Sequence, residues 1–523
     1  MKYDTIIIGG GHNGLVCAAF LAKSGRTVLL LERRQTLGGA AATEAVFPGC
    51  KVNTGAHDAG LFLPEIFEKL DLKERVEFIE NPVGVFAPQP DCRALTLWRD
   101  VDRSVEEIRR FSRSDADVFP KFVDTVSRMA QVLRATLTLT PPNLSQKSIS
   151  DSLPWSRVAL KLKSLGKREM MQFLRLQPMS IREFLDEWFE SDALKGALSA
   201  AGVTGSMQGP FASGTAFVWL YHQLGRAHGG FTSSRFVRDG LGKLSEAIAE
   251  VARLHGAEIR TESGVKEIII EDDKATGVLL SNGEELSAKK VISNADPQRT
   301  FLNLVGAPNL GPQFVRKVRN IRFQGTTAKI NLLLSDVPSF TAAPEGTEHL
   351  SGHILICPGL EYLERAYDDA KYGRFSRHPT LDIVFPTVLD PPLAQNGQHL
   401  MSVTMQYASY VLRDSTWDQE RERLYECVLA TLTEYAPGLE DLVVNKQVIT
   451  PKDLETEYGL TEGSIFHGQM ALDQLLFMRP VSGFGRYRTP IENLYLCGAG
   501  THPGGGVTGA PGYNCAREVL KRF

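Results

Sequence analysis

The stretch Asp4–Ala41 restricts the fold more than any other part of the chain. Asp4–Ile8 is predicted to be a buried strand, because Thr5, Ile6, Ile7 and Ile8 are apolar or β-branched in succession. Gly9-Gly10-Gly11-His12-Asn13-Gly14 follows at once. Leu15–Ser24 reads as a helix with Ala18, Ala19 and Ala22 on one face; Gly25 ends it, and Thr27–Leu31 is a second apolar strand that stops at Glu32. This is G-x-G-x-x-G in a βαβ frame, with an acid 18 residues after Gly14. Gly9 permits the tight turn, Gly11 lets backbone approach a pyrophosphate, and Gly14 lets helix pack on strand. The helix start, with His12 and Asn13, turns unpaired N–H groups and a positive dipole end toward phosphate. Glu32 is placed to accept from ribose hydroxyls. The pattern predicts a dinucleotide site.

At 523 residues the chain is expected to hold roughly three domains or subdomains. A composition of 43% hydrophobic and 23% charged residues argues against disorder. The net charge of −3 gives no global attraction to nucleic acid. The cysteines (Cys17, Cys50, Cys92, Cys357, Cys427, Cys497, Cys515) include no C-x-x-C pair, which excludes a redox dithiol of that type and a zinc ribbon. Their odd number, with the first strand entered by Thr5, leads to the expectation of reduced thiols in the cytoplasm and no signal or transit peptide. Gly196–Gly225 carries no Asp, Glu, Lys or Arg, but its six glycines and Pro210 suit a buried segment or cavity wall better than a bilayer span.

Arg33-Arg34 and Gly38-Gly39-Ala40-Ala41 follow Glu32. The diglycine suits a second close approach of backbone to a long, extended dinucleotide, and either arginine could offset phosphate charge. Residues 104–135 carry one helical pattern, with Phe119, Phe122, Val123, Val126, Met129 and Leu133 at core spacing, broken by Pro141-Pro142. Trp155–Arg182 holds seven basic residues against the single acid Glu169, interleaved with apolar ones. Two readings stand there: a lid touching an anionic membrane surface, or a solvated helical face over a core. Gly240–Leu254 is an amphipathic helix; Val265–Ile270 and Thr276–Leu280 begin a small antiparallel meander. Residues 301–480 read as a mixed α+β unit inserted between two parts of the first domain.

Near the C-terminus, Asn493–Cys497 is a strand followed by a glycine-rich run from Gly498 to Ala510 and then a helix. Gly504-x-Gly506-x-x-Gly509 repeats the dinucleotide pattern, but only fourteen residues remain after Gly509, too few for another βαβ unit. A glycine turn feeding a helix N-terminus fits better. Such a terminus stabilises negative charge on a bound ring, as on the pyrimidine side of a reduced flavin.

Asp4–Ala41, Ser293-Asn294-Ala295-Asp296-Pro297 and Leu494–Gly512 resemble the phytoene desaturase superfamily of FAD-dependent oxidoreductases. Within it the chain is similar to the flavoproteins called pyridine nucleotide-disulphide oxidoreductase domain-containing, second type, and to the cyanobacterial type of β-carotene ketolase. The resemblance implies an α/β fold: a discontinuous Rossmann-like FAD-binding domain (1–80, 226–300 and 485–523), a mixed-sheet α+β substrate domain (81–103 and 301–484) and a helical cap (104–225). It implies FAD held by Gly9, Gly11, His12, Asn13, Gly14, Glu32, Arg33, Arg34, Gly38, Gly39, Ala40, Ala41, Val265, Asn294, Gly500, Gly506 and Val507. It further implies hydride transfer between flavin N5 and a C–H bond of an apolar, carotenoid-, isoprenoid- or lipid-like substrate, with oxygen or a quinone as electron acceptor. His502, His57 and His467 are the candidate bases. One departure is visible: resembling desaturases carry P-x-G-G-x-G where this chain has Val237-Arg238-Asp239-Gly240-Leu241-Gly242. The alternatives are an amine oxidase-like flavoenzyme and a non-catalytic lipid-binding module of the prenyl-binding GDP-dissociation-inhibitor type.

Overall fold

The computed structural model describes residues 2–142, 149–225, 234–344 and 346–523. The expected boundary at 226 lies outside the described residues. In chain order the strands are β1 (Tyr3–Ile8), β2 (Val28–Leu31), β3 (Thr43–Phe47), β4 (Cys50–Asn53), β5 (Phe78–Ile79), β6 (Val83–Pro88), β7 (Ala94–Trp98), β8 (Phe236–Val237), β9 (Glu258–Arg260), β10 (Val265–Glu271), β11 (Lys274–Leu280), β12 (Glu285–Ser293), β13 (Thr327–Leu334), β14 (His353–Ile356), β15 (Phe375–Val384), β16 (His399–Ala408), β17 (Val443–Ile449) and β18 (Leu494–Leu496).

The first sheet has a parallel centre, β9-β2-β1-β12-β18, extended by the antiparallel meander β10-β11-β12. Parallel strands are covered on both faces, so β1 and β2 must be apolar throughout rather than alternating. One face carries the first helix (His12–Lys23), the helix Gly242–Leu254 and the C-terminal helix Ala510–Leu520, whose apolar side chains share one core with the strands. The other face is covered by Phe301, Leu304, Phe314 and Val318, which pack with Ile6, Leu29 and Val291. Residues 301–319 therefore sit with this sheet and not with the substrate unit to which the sequence reading assigns them. The cause is burial: a parallel sheet needs a second apolar layer, and these residues supply it.

The second sheet runs β17-β13-β16-β15-β14-β6-β7 and is antiparallel except for β14–β6. Ala328, Ile330, Leu381, Ile383, Val403 and Met405 point to one face, where the helix Trp417–Tyr435 adds Leu424, Val428 and Leu432. The opposite face carries the alternate residues and fronts a cavity.

The helical region is continuous with the first core, since Phe119, Phe122 and Trp219 cluster with Leu15, Val16 and Ala516. The single helix expected over 104–135 is two, Val101–Arg109 and Arg113–Leu137. The break is local: Ser112 is extended and its hydroxyl accepts from the Asp115 amide at 3.1 Å, a new N-cap. Gly196–Gly225 is largely buried, as its lack of charge requires; Trp219 donates to the Leu198 carbonyl at 2.7 Å and Tyr221 to that of Gly505 at 2.8 Å. Among the described residues no helix is long and apolar enough to cross a membrane.

The C-terminal helix presses on the glycine loop at Gly512, where a Cβ would lie 2.1 Å from the Asn13 carbonyl oxygen. Gly512→Ala is expected to destabilise the protein by about 1–3 kcal/mol, the usual cost of overpacking, read as a lower urea midpoint. Gly311→Ala is the comparison: its φ is −63° and nothing lies within 4 Å of the added carbon, so only the poorer N-cap counts and the midpoint should fall less than for Gly512→Ala.

Candidate active site

One cavity of about 770 Å³ runs from the first glycine loop to the polar face of the second sheet. Its dinucleotide end is built by backbone. Gly9 has φ of +98°, a conformation that only glycine adopts without strain. A Cβ on Gly11 would lie 2.8 Å from Asn294 Nδ2, and one on Gly14 would lie 2.2 Å from the Gly9 carbonyl oxygen. Gly9 and Gly11 thus leave an open cradle, while Gly14 lies behind it and lets the helix seat on the strand. Asn294 holds position through its amide, which donates to Ile8 at 2.8 Å.

Glu32 is buried and lines the cavity. Its Oε2 accepts from the Gly10 amide at 2.6 Å and its Oε1 from the Arg34 amide at 2.9 Å. The carboxylate braces the glycine loop from the end of β2, and each oxygen keeps a lone pair for a ribose hydroxyl. Val265, at the start of β10, closes this end. His12 Nε2 and Asn13 Oδ1, at the start of the first helix, are buried with no hydrogen-bond partner. Burial lowers His12 to about 4, so it stays neutral. Open glycines at a helix start fit a diphosphate.

Other sequence assignments divide. Gly39, Ala40, Gly506 and Val507 line the cavity. Gly38 and Ala41 lie behind the wall in a tight turn, with the Ala41 amide donating to Gly38 at 3.0 Å. Gly500 is also behind it; a Cβ there would meet Pro297 at 2.3 Å. The arginines are already engaged. Arg34 bonds Glu44 at 2.7 Å and stacks over Tyr458, and Arg33 donates to the Thr456 carbonyl at 3.0 Å. Both also line the cavity, and Arg34 Nη1 is buried with no hydrogen-bond partner among the described residues.

His502 is corrected as a candidate base. It is 1% exposed, off the cavity wall, with Nε2 3.0 Å from the Thr136 carbonyl oxygen. His467 and His57 do line the cavity. Burial, with Arg479 and Arg299 nearby, drives His467 down to about 3. The wall segment that carries it is held by Arg479, a residue with no motif: its buried guanidinium donates to the carbonyls of Ala499 (2.9 Å), Gln474 (3.2 Å) and Gly468 (3.1 Å). The Arg238-Asp239 pair does not line the cavity; Arg238 bonds Glu77 at 2.9 Å and Asp390 at 3.4 Å.

The far end holds a polar group that sequence reading missed. His353 lies between two carboxylates, with Nδ1 2.7 Å from Asp382 and Nε2 3.4 Å from Asp58 and 3.1 Å from Ser234. Burial disfavours its cation, yet Asp382 and Asp58 together raise it to about 10. The His57 ring is 5.6 Å from that of His353; burial first, then Lys329 and His353, push His57 well down, and its Nδ1 has no partner. Lys329, 4% exposed, donates to the Gly55 carbonyl. Burial lowers it to about 7 against the opposing pull of Asp382. His57, His353 and Asp382 each bring a ligand-type atom within 4.8 Å of the others. Both nitrogens of His353 are committed to hydrogen bonds, so the group works as a proton-bearing clamp. No cysteine lines the cavity, and the described cysteines are free.

This is the architecture of an FAD-dependent oxidoreductase. The chain belongs to the flavin-containing amine oxidoreductase family, whose model matches residues 14–520. It is 36% identical to the rat protein called pyridine nucleotide-disulfide oxidoreductase domain-containing protein 2, over 99% of this chain and 94% of that one. It is 26% identical to a lycopene-forming phytoene desaturase of Pantoea ananas, over 97% and 96% of the two chains. Among solved structures, an oxidoreductase from Methanosarcina mazei aligns with a TM-score of 0.61 at 17% identity, covering 99% of this chain and 100% of that one.

The Glu32 brace predicts a cofactor effect. Glu32→Ala removes two charge-assisted hydrogen bonds from the loop, and FAD should bind about 10- to 100-fold more weakly, measured by titrating apoprotein with FAD and following flavin fluorescence.

Proposed function

We propose that this oxidoreductase acts on a C–H bond of a largely apolar, isoprenoid- or lipid-like molecule, with oxygen or a quinone taking up the electrons. The observation that carries the reading is the continuity of the cavity: the glycine cradle opens without a barrier onto a wall of Ala197, Leu198, Ala200, Ala201 and Val203. Bound FAD supplies a hydride acceptor or donor at N5. The chain supplies the rest. Gly9, Gly11, Asn13, Glu32, Val265 and Val507 would hold the cofactor, the wall at 197–203 excludes water, and the core behind it fixes the wall. The rival reading, an amine oxidase, calls for a wall that accepts a cation. Here both carboxylates of the far end, Asp58 and Asp382, already bind His353.

A membrane contact for such a substrate would be made by the basic helical stretch, Ile149–Ser164 and Gly166–Leu176. Leu153, Leu160, Met171 and Leu174 are exposed there, four of the ten exposed large apolar residues described. Leu153, Arg157, Leu160 and Lys161 are spaced to share one helix face, which gives apolar anchors flanked by cations. This favours the membrane-facing reading of the stretch over a solvated face.

Two measurements test the reading. The purified protein should show a flavin spectrum, on its own or after FAD is added; a colourless protein under both conditions overturns it. It should also float with vesicles containing anionic lipid at low salt and be released by high salt, whereas failure to float removes the membrane route.

A further inference from the structure

The end of the first sheet away from the glycine loop carries a cluster of cations that the cofactor site does not use. Lys290 of β12 pairs with Thr5, near the start of β1, and Arg26 stands in the turn before β2. Arg488 pairs with Tyr495 of β18. Arg517, Lys521 and Arg522 join them from the far end of the C-terminal helix Ala510–Leu520. The Phe523 ring ties the group together: its centre lies 4.2 Å from the Arg26 guanidinium and 4.8 Å from Lys290 Nζ.

Negative charge is short here. Among the described residues, Glu518 is the one side-chain carboxylate within 4 Å of any of the six cations. It is fully buried and bonds Lys521, and Arg488 at 3.5 Å. Glu492 is farther off and pairs with Lys274 at 3.4 Å. With about half a charge from the helix C-terminus, roughly one and a half negative charges face six positive ones, on a chain whose net charge is −3. The crowding shows on Lys290: burial first, then Arg522, with Arg26 and Arg488, pushes its titration down against the pull of Glu492. Arg517 and Arg522 are exposed, so their charge is open to a partner.

The neighbours of the cluster say what that partner is. Arg517 donates to the Thr138 carbonyl at 2.9 Å and Thr140 Oγ1 to Glu518 at 3.0 Å, while Trp155 of the basic helical stretch donates to the Thr140 carbonyl at 3.0 Å. Residues 138–140 thus join the cluster to the helices that expose Leu153, Leu160, Met171 and Leu174, and Phe523, 39% exposed, adds an apolar side chain within the cluster itself. A soluble phosphate compound answers the charge and leaves the apolar side chains unexplained. A bilayer with anionic headgroups answers both. We infer that the cation cluster at the end of the C-terminal helix is a second contact with an anionic lipid surface, sharing one membrane-facing side with the helical stretch. This rests on the membrane contact proposed above and extends it to a separate part of the chain.

The test is co-sedimentation of the FAD-loaded protein with vesicles of phosphatidylcholine, alone or with about one third phosphatidylserine. One variant removes charge from the cluster (Arg517→Gln, Lys521→Gln and Arg522→Gln together). A control removes the same charge from exposed residues of the helix Pro312–Arg319 (Arg316→Gln, Lys317→Gln and Arg319→Gln together). Wild type should bind the anionic vesicles and not the neutral ones. Each cation at the surface contributes about 5-fold, so the cluster variant should bind about 100-fold more weakly, and the control should bind as wild type does. Flavin content and urea midpoint show whether the variants are folded. Hydrogen–deuterium exchange of wild type with and without anionic vesicles needs no variant: protection should appear at 517–523 as well as at 149–176. If the cluster variant binds like the control and 517–523 exchange as they do without vesicles, the inference falls and the helical contact stands. If wild type sediments with neither kind of vesicle, the helical contact falls and the inference falls with it. Protection of 517–523 by tripolyphosphate in solution but not by vesicles would make the cluster a site for soluble polyanions and overturn the lipid assignment.

Discussion

The structure depends on how closely backbone approaches backbone at the glycine loop. Gly9 turns with positive φ, Gly11 faces the Asn294 side chain, and Gly14 packs where a Cβ would strike the Gly9 carbonyl. Behind them Gly512 brings the C-terminal helix onto Asn13. Three segments far apart in sequence converge at one point, and glycines in two of them leave the room for it. Glu32 then fixes the loop electrostatically by accepting from Gly10 and Arg34. The first sheet, the helices over it and the position of Val507 on the cavity wall all follow from that convergence.

The second constraint is the pleat of the substrate sheet. Side chains of successive residues alternate between faces, so one sheet gives an apolar underside for Leu424 and Val428 and a polar upper face for the cavity. Burying Lys329, and half-burying His353 beside two carboxylates, costs free energy unless the charges are shared. The Asp58–His353–Asp382 clamp shares most of it, while Lys329 donates to the Gly55 carbonyl and burial lowers its pKa against the pull of Asp382. Arg479 and Gln406 do related work in neutral surroundings, tying the 466–474 segment and the roof to the frame through carbonyl oxygens.

The dinucleotide half was legible because its signals are local. Strand, glycine loop, helix and acid lie within Asp4–Glu32, and steric necessity ties each glycine to its place. The far half was less legible because Asp58, Lys329, His353 and Asp382 come from a loop and three strands with no common spacing. A weaker signal was present. Thr327-Ala328-Lys329-Ile330-Asn331 and Ser402-Val403-Thr404-Met405-Gln406 alternate polar and apolar residues, the mark of a sheet with one polar face. His502 misled for the opposite reason: it stands beside the C-terminal glycine turn in sequence, but its ring turns back to Thr136. Adjacency to a motif does not fix which way a side chain points.

The central claim is that one FAD is held from both ends of the chain. Hydrogen–deuterium exchange compared between apoprotein and FAD-loaded protein tests it most directly. Protection should appear together at Gly9–Gly14 and at Gly504–Gly509, with the same dependence on FAD concentration. Protection confined to the N-terminal loop, with the C-terminal turn exchanging as in apoprotein, would contradict it.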